Sequence, residues 1–172
     1  MSQTDAVSYT WHEADQPPAG WPVRQVYGYV FDTRARLVVF YDAAAGVWNL
    51  PGGTPEPHRD RDRVATLVRE VWEEVQVTIA DDPVYLGYQA VHRPGTEPYA
   101  QLRMAARLER LGEREPDPDK GRVHPRRLCP FDEAVELLAW GTPAQAQFRC
   151  AALTAEQRWG LPVGAPAPTH TD

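Results

Sequence analysis

The sequence predicts an α/β (α+β) fold in which a mixed β-sheet lies between helical layers. Two observations lead there. Apolar residues recur with the two-residue period of strands in some stretches and with a helical period in others, in the order strands, one helix, more strands, late helices. At 172 residues and 42% hydrophobic content the chain has room for one domain with a substantial core. Its 12 Gly and 17 Pro stay short of the roughly 25–30% that marks low complexity.

Residues 1–21 mix Ser, Thr, Asp, Pro and Gly without a period and are expected as an irregular N-terminal arm. Residues 161–172 are Pro- and Ala-rich and are expected as a flexible tail, leaving 22–160 as the folded domain. From Val23 to Phe31, Val26, Gly28 and Val30 fall on one side and Tyr27, Tyr29 and Phe31 on the other, as in a central strand covered on both faces. The turn Asp32-Thr33-Arg34 and the apolar run Leu37 to Tyr41 complete a hairpin. Beyond the breaker Asp82-Pro83, Tyr85 to Val91 reads as a strand. Then Ala100, Leu102, Met104, Ala106 and Leu108 alternate with Gln101, Arg103, Ala105 and Arg107, giving one core face and one mostly polar face.

Three helices are signalled. Val64, Val68, Val71 and Val75 recur at i, i+4, i+7 and i+11 and predict the apolar stripe of the first. The second runs from Phe131 to Trp140 and stops at Gly141. The third starts at Thr142-Pro143, with Gln145 completing a capping box, and a short fourth piece is expected from Thr154 to Gly160.

No apolar run approaches the roughly 18 residues of a membrane span, and the start lacks the basic and apolar regions of a signal peptide, so a soluble cytoplasmic protein is expected. A net charge of −6 and a pI near 5.4 argue against non-specific nucleic-acid binding. Cys129 and Cys150 stand without a CxxC or a His at metal spacing and are expected as reduced, buried thiols with no zinc or redox role.

The chemistry concentrates in Leu50-Pro51-Gly52-Gly53-Thr54-Pro55-Glu56 and the helix that follows it, which carries Arg69-Glu70-Val71-Trp72-Glu73-Glu74-Val75. At about 100° per residue, Glu70, Glu73 and Glu74 share one face of that helix, turned away from the valine stripe. Like charges at i, i+4 cost a helix roughly 0.2–0.5 kcal/mol, and Arg69 neutralises one of them at most. Oxygen-only ligands of this kind suit a hard divalent cation, Mg²⁺ or Mn²⁺. Gly52-Gly53 would let backbone approach such an ion or a phosphate without interference from a Cβ. A solvated acidic helix face behind a turn is the plainer alternative, but the glycines, the arginine and three phased acids together make it the weaker one.

The segment Gly53 to Val77 resembles the Nudix box, whose pattern is G-x5-E-x7-R-E-U-x-E-E-x-G-U with U apolar. Gly53, Arg69, Glu70, Val71, Glu73, Glu74 and Val77 occupy matching positions. The surrounding WNLPGG, the strand order and the late helices extend the resemblance over residues 22–160 and imply a Nudix-like α/β/α sandwich. Three departures stand out. A two-residue insertion falls between His58 and Asp62. The early glutamate is missing, its place taken by Arg59 or Arg61, so that Asp60 or Asp62 either substitutes for it or caps the helix. The last glycine is Gln76, a substitution worth roughly 1 kcal/mol if the backbone there is left-handed.

The resemblance implies hydrolysis of a diphosphate bond in a nucleoside diphosphate linked to another moiety, with Mg²⁺ or Mn²⁺ held by Glu70, Glu73, Glu74 and the Gly53 carbonyl. It also implies that Arg69 orients a box glutamate; a surface ion pair is the alternative. The general base is open between Glu74 and an acid of the loop Glu113 to Asp119. Gln101 and Arg103 are candidates for contacting the substrate beside Gly52 and Gly53, against the alternative of an exposed sheet face. Lys120, Arg122, His124, Arg126 and Arg127 form a basic cluster that either attracts phosphate or lies solvated. Trp48, Trp72 and Tyr88 are candidates for stacking a base, with core packing the alternative. The expected partner is a small nucleotide-type molecule, and a homodimer through Trp11 to Trp21 is open. A catalytically silent domain that binds a nucleotide-like ligand is the competing function, motivated by the missing glutamate and Gln76.

Overall fold

The computed structural model describes residues 6–172. In chain order the strands are β1 (Ser8–Glu13), β2 (Val23–Phe31), β3 (Leu37–Asp42), β4 (Val47–Asn49), β5 (Gly52–Gly53), β6 (Val77–Ile79), β7 (Val84–His92), β8 (Tyr99–Leu111), β9 (Arg126–Cys129) and β10 (His170–Thr171). The helices are α1 (Arg63–Val75), α2 (Phe131–Leu138) and α3 (Gln145–Trp159), with a 3₁₀ turn at Thr142–Ala144 leading into α3.

The sheet runs β1-β7-β8-β2-β3-β9-β10, with β4 joined to β3, β5 to β2 and β6 to β8. Among the described residues only β2 and β8 pair in parallel, Val26 opposite Leu102 and Tyr29 opposite Ala105, so the sheet is mixed as expected. β2 sits centrally, and its alternating faces enter two different cores. Val26 and Val30 pack with Leu67, Val71 and Val75 of α1 on one side. Tyr27, Tyr29 and Phe31 pack with Phe131, Phe148 and Ala151 of α2 and α3 on the other. The result is the expected sandwich, a sheet covered by helices on both faces.

Several local expectations are corrected. The β2–β3 hairpin meets in ladder register only at Phe31 opposite Leu37; β3 spends the rest of its length on β4 and β9, and β5 takes the space beside β2. The arm expected to be irregular contains β1, paired with β7 along all six residues from Ser8–His92 to Glu13–Gly87. Its backbone bonds need no apolar period, and most of its side chains are exposed, so it left no hydrophobic signal. Residues 1–5 of that arm lie outside the described residues. The expected flexible tail docks through β10 on β9, and Asp172 accepts two bonds from the Arg126 guanidinium, at 2.8 and 2.6 Å.

The second helix stops at Leu138, where Ala139 turns left-handed, rather than at Trp140. The third and fourth helical pieces are one helix, α3, and no side chain caps its start or that of the 3₁₀ turn. Cys129 is buried as expected, whereas Cys150 is only half-buried.

The correction that matters most concerns α1. Asp62 caps it, accepting from the Ala65 N–H at 2.9 Å. Its core side holds Leu67, Val71 and Val75, while Val68 is 47% exposed. The buried sector is rotated toward the acidic residues because β5 packs against that flank of the helix, so Glu70 and Glu74 are buried beside the apolar stripe rather than opposite it. Leu67→Ala should therefore cost about 2–5 kcal/mol, and Val68→Ala should stay within about 0.5 kcal/mol of the parent, both by urea unfolding.

Candidate functional site

Two glycines bring the loop before α1 against the acidic face. Gly52 has φ +149°, and a Cβ there would lie 2.2 Å from the Val26 carbonyl oxygen, so no other residue fits beside β2. Its N–H donates to Glu74 Oε2 at 2.9 Å. A Cβ on Gly53 would lie 2.3 Å from the Glu70 carboxyl group. Loop and helix thus form one cradle, as the spacing of these residues suggested.

Arg69 is the hub of the charges. All five of its N–H groups are engaged: Nε and one Nη2 hydrogen on Asp60 at 2.9 and 2.8 Å, the other Nη2 hydrogen on the Thr54 carbonyl at 2.9 Å, and Nη1 on Glu70 and Glu73 at 2.9 and 3.0 Å. Asp60 also accepts from the Glu56 N–H and the Thr66 hydroxyl. The Arg69 bonds hold the Asp60 carboxyl well below the usual aspartate range. Glu73 takes a second cation, Arg59, at 2.9 Å. Glu74 takes Lys120, Nζ to Oε1 at 2.9 Å.

Glu70 and Glu74 open onto a cavity of about 280 Å³, and Glu73 does not line it. Five carboxylates line this cavity, those of Asp42, Glu56, Glu70, Glu74 and Asp119, against one ammonium, Lys120. Burial pushes the Glu74 carboxyl up to about 7 despite the opposing pull of Lys120 and the Gly52 N–H, and burial raises Glu70 too. Among the described residues, no three His, Cys, Asp or Glu side chains converge closely enough to ligate one ion as they stand. The donor set is nevertheless that of a hard divalent cation: carboxylate oxygens in excess of cations, and a glycine with no Cβ between its backbone and Glu70.

A second cavity, of about 310 Å³, adjoins the first and shares Tyr27 and Asn49 with it. Gln101 and Arg103 line it, which overturns the alternative of an exposed sheet face. Arg103 is 2% exposed, covered by the linker between α2 and α3, from which Trp140, Pro143 and Ala144 form one wall. The residues that sequence reasoning missed here, Tyr9, Asn49, Gln89 and Trp140, come from four separate elements with no shared spacing. Of the three aromatic candidates for stacking, none lines either cavity: Tyr88 is core, Trp48 lies under the Arg127 guanidinium, and Trp72 faces Arg110.

The NUDIX domain profile matches residues 21–151, most of the chain. The chain belongs to the NUDIX domain family. Solved structures with this fold include the pyrophosphohydrolase BsRppH of Bacillus subtilis, in a mutant form, at TM-score 0.53 and 19% identity over 63% of this chain; the match spans 64% of that chain, just under two thirds of its length. The Mutator MutT protein from Bacillus halodurans is similar at TM-score 0.54 and 22% identity, over 73% of this chain and 79% of that one. The NUDIX domain of Shewanella oneidensis NrtR, complexed with ADP ribose, is similar at TM-score 0.55 and 15% identity, over 79% and 94%. No curated protein matches in sequence. The class expected from the box, a Nudix-type hydrolase, agrees with the family match.

Within this Nudix domain the departures from the box find their places. Asp60, in the insertion, is the acid that fastens Arg69, while Asp62 caps α1. Gln76 is left-handed, φ 48° and ψ 49°, and its side-chain amide caps the last turn of α1 by donating to the Trp72 and Glu73 carbonyls at 3.2 and 3.0 Å. Those bonds offset the strain of a non-glycine residue there. The basic cluster disperses: Arg126 is buried on the Val75 carbonyl at 2.6 Å, His124 is buried on Asp117, and only Lys120 lines the acidic cavity. Asp117 folds the loop by accepting from the Asp119 and Lys120 N–H groups, which leaves Asp119 as the loop acid facing that cavity.

Because Asp60 titrates below its unfolded value of about 3.9, its contribution to stability is present above that pH and is lost as pH falls toward the lowered native value. Asp60→Asn should destabilise the protein by about 1–3 kcal/mol at pH 7. The gap from the parent should narrow between pH 4 and pH 2 in urea unfolding followed by circular dichroism.

Proposed function

We propose that the protein is a divalent-metal-dependent pyrophosphohydrolase that cleaves a diphosphate bond in a nucleoside diphosphate linked to another moiety. The observation that supports this reading most directly is the pair of adjoining cavities, one lined by five carboxylates and the other by Arg103 and aromatic rings, with Tyr27 and Asn49 between them. A substrate with a diphosphate at one end and a nucleoside at the other has that polarity.

Glu70, Glu73, Glu74 and the Gly53 carbonyl would hold Mg²⁺ or Mn²⁺, which when bound neutralises diphosphate charge and acidifies water. Glu73 gives up its pair with Arg59, a side chain 46% exposed and free to leave, to take part. Arg69 acts as a positioning residue, holding Glu70 and Glu73 from behind with its remaining donors fixed on Asp60 and Thr54. Lys120, once off Glu74, offers its ammonium to a phosphate oxygen. Asp119 and Glu74 are the candidates for taking the proton of the attacking water, both lining the acidic cavity.

A cytoplasmic location agrees with two cysteines free of any disulfide, and no described helix is long and apolar enough to cross a membrane. The silent, ligand-binding reading has one observation on its side: all three glutamates are paired with protein cations, Arg59, Arg69 and Lys120.

The two readings separate in a hydrolysis assay that follows the nucleotide products formed from nucleoside triphosphates, nucleotide sugars, ADP-ribose and dinucleoside polyphosphates with Mg²⁺ or Mn²⁺. Hydrolysis should require the metal. Glu74→Gln should lower kcat/KM by more than the roughly 10–100-fold typical of outer partners of a metal site, and Arg69→Lys should fall within that range. Equal hydrolysis by wild type, Glu73→Gln and Glu74→Gln would remove these residues from the chemistry.

A further inference from the structure

Arg103 is a buried guanidinium held by neutral oxygens. Its Nε donates to Gln147 Oε1 at 2.6 Å, its Nη2 to Gln89 Oε1 at 2.8 Å and Gln101 Oε1 at 3.2 Å, and its Nη1 to the Leu102 carbonyl at 3.3 Å. No Asp or Glu among the described residues is paired with it. Burial lowers its pKa, as expected for a cation without a counter-charge. The Tyr27 and Trp140 rings lie 4.7 and 5.5 Å from its Cζ.

The orientation of the surrounding amides follows from this. A guanidinium has no acceptor, so each glutamine must turn its oxygen to it and keep its NH₂ for something else. Gln101 Nε2 is spent on Gln25 Oε1, whereas Gln89 Nε2 has no partner among the described residues. Asn49 Oδ1 accepts from the Leu50 N–H at 2.9 Å. Each of the carboxamide oxygens of Gln89, Gln101 and Asn49 thus already accepts an internal bond. Among the described residues, the cavity-lining N–H groups left without a partner are Gln89 Nε2 and the second Nη1 hydrogen of Arg103, while the Tyr27 hydroxyl can donate or accept and the unpartnered Gln147 Nε2 lies outside the lining.

We infer that this cavity takes the base of the substrate and selects a carbonyl oxygen (uracil O4 or guanine O6) over an amino group (cytosine N4 or adenine N6) at the ring position facing Gln89 and Arg103. This deepens the hydrolase reading and rests on it for the diphosphate attached to the base. Tyr27, Tyr9 and Trp140 supply aromatic walls of the kind on which a planar ring stacks. A ring amino group turned toward Gln89 and Arg103 would set donor against donor and leave both buried and unpaired.

The test is equilibrium binding of UMP, GMP, AMP, CMP and ribose 5-phosphate to the full chain in EDTA by calorimetry, beside metal-dependent release from UDP-, GDP-, ADP- and CDP-glucose. UMP and GMP should bind at least about tenfold tighter than AMP and CMP, with ribose 5-phosphate weakest. Gln89→Leu, which removes the amide while Arg103 keeps its bonds to Gln147, Gln101 and the Leu102 carbonyl, should shrink that preference, and Arg103→Met should abolish it. AMP or CMP binding as tightly as UMP would overturn the inference. So would ribose 5-phosphate matching UMP, which would assign the donors to a phosphate, or a preference unchanged in Gln89→Leu. Release without base preference defeats this inference and spares the hydrolase reading. Base preference without release does the reverse.

Discussion

Arg69 is the cation around which the acidic helix folds. Packing Glu70 and Glu74 against the sheet beside Leu67 and Val71 removes two carboxylates from water, a cost of several kcal/mol for each ion left unpaired. One guanidinium with all five hydrogens engaged answers much of that cost, because a single rigid fork reaches Asp60, Glu70, Glu73 and the Thr54 carbonyl together. The same bonds set where the loop from β5 to α1 lies, and so where Gly52 and Gly53 meet the helix. Lys120 completes the balance from the opposite side, carried by a loop that Asp117 and His124 hold in place.

The balance is uneven by construction. Around the acidic cavity, carboxylates outnumber cations five to one, and Glu74 retains a proton affinity near neutrality that ordinary glutamates lack. A structural salt-bridge network would have matched its charges, since buried unpaired ions only destabilise. Arg69 and Lys120 pair Glu56, Glu70 and Glu74, which leaves Asp42 and Asp119 as the lining carboxylates without an ion pair among the described residues. Across Tyr27 the polarity reverses, and Arg103 is buried among neutral amides with no carboxylate to answer it. The two imbalances lie side by side and have opposite sign.

Much of this was legible from the chain. The two-sided apolar character of Val23 to Phe31 placed it at the centre of the sheet, and the order of periods gave the layers. Gly52, Gly53 and the run Arg69 to Glu74 announced the acidic cradle through spacing along one local segment. The α1 stripe was misread because Val64, Val68, Val71 and Val75 share a period that Leu67 also satisfies, and the choice between neighbouring sectors of a helix rests on what packs beside it. β1 and β10 were missed because edge pairing is made by backbone groups, which every residue carries.

The sequence by itself determined the elements, the mixed sheet and the local group of glycines, arginine and glutamates, since those depend on periodicity and on residues within a few turns of one another. Only the tertiary structure decided that Asp60, and not Asp62, is the acid that fastens Arg69. It alone brought Lys120 and Asp119 to face α1 and enclosed Arg103 behind Trp140. Those contacts join residues 9 to 46 positions apart, and their geometry depends on how loops cross a finished sheet, which no spacing along one strand or helix encodes.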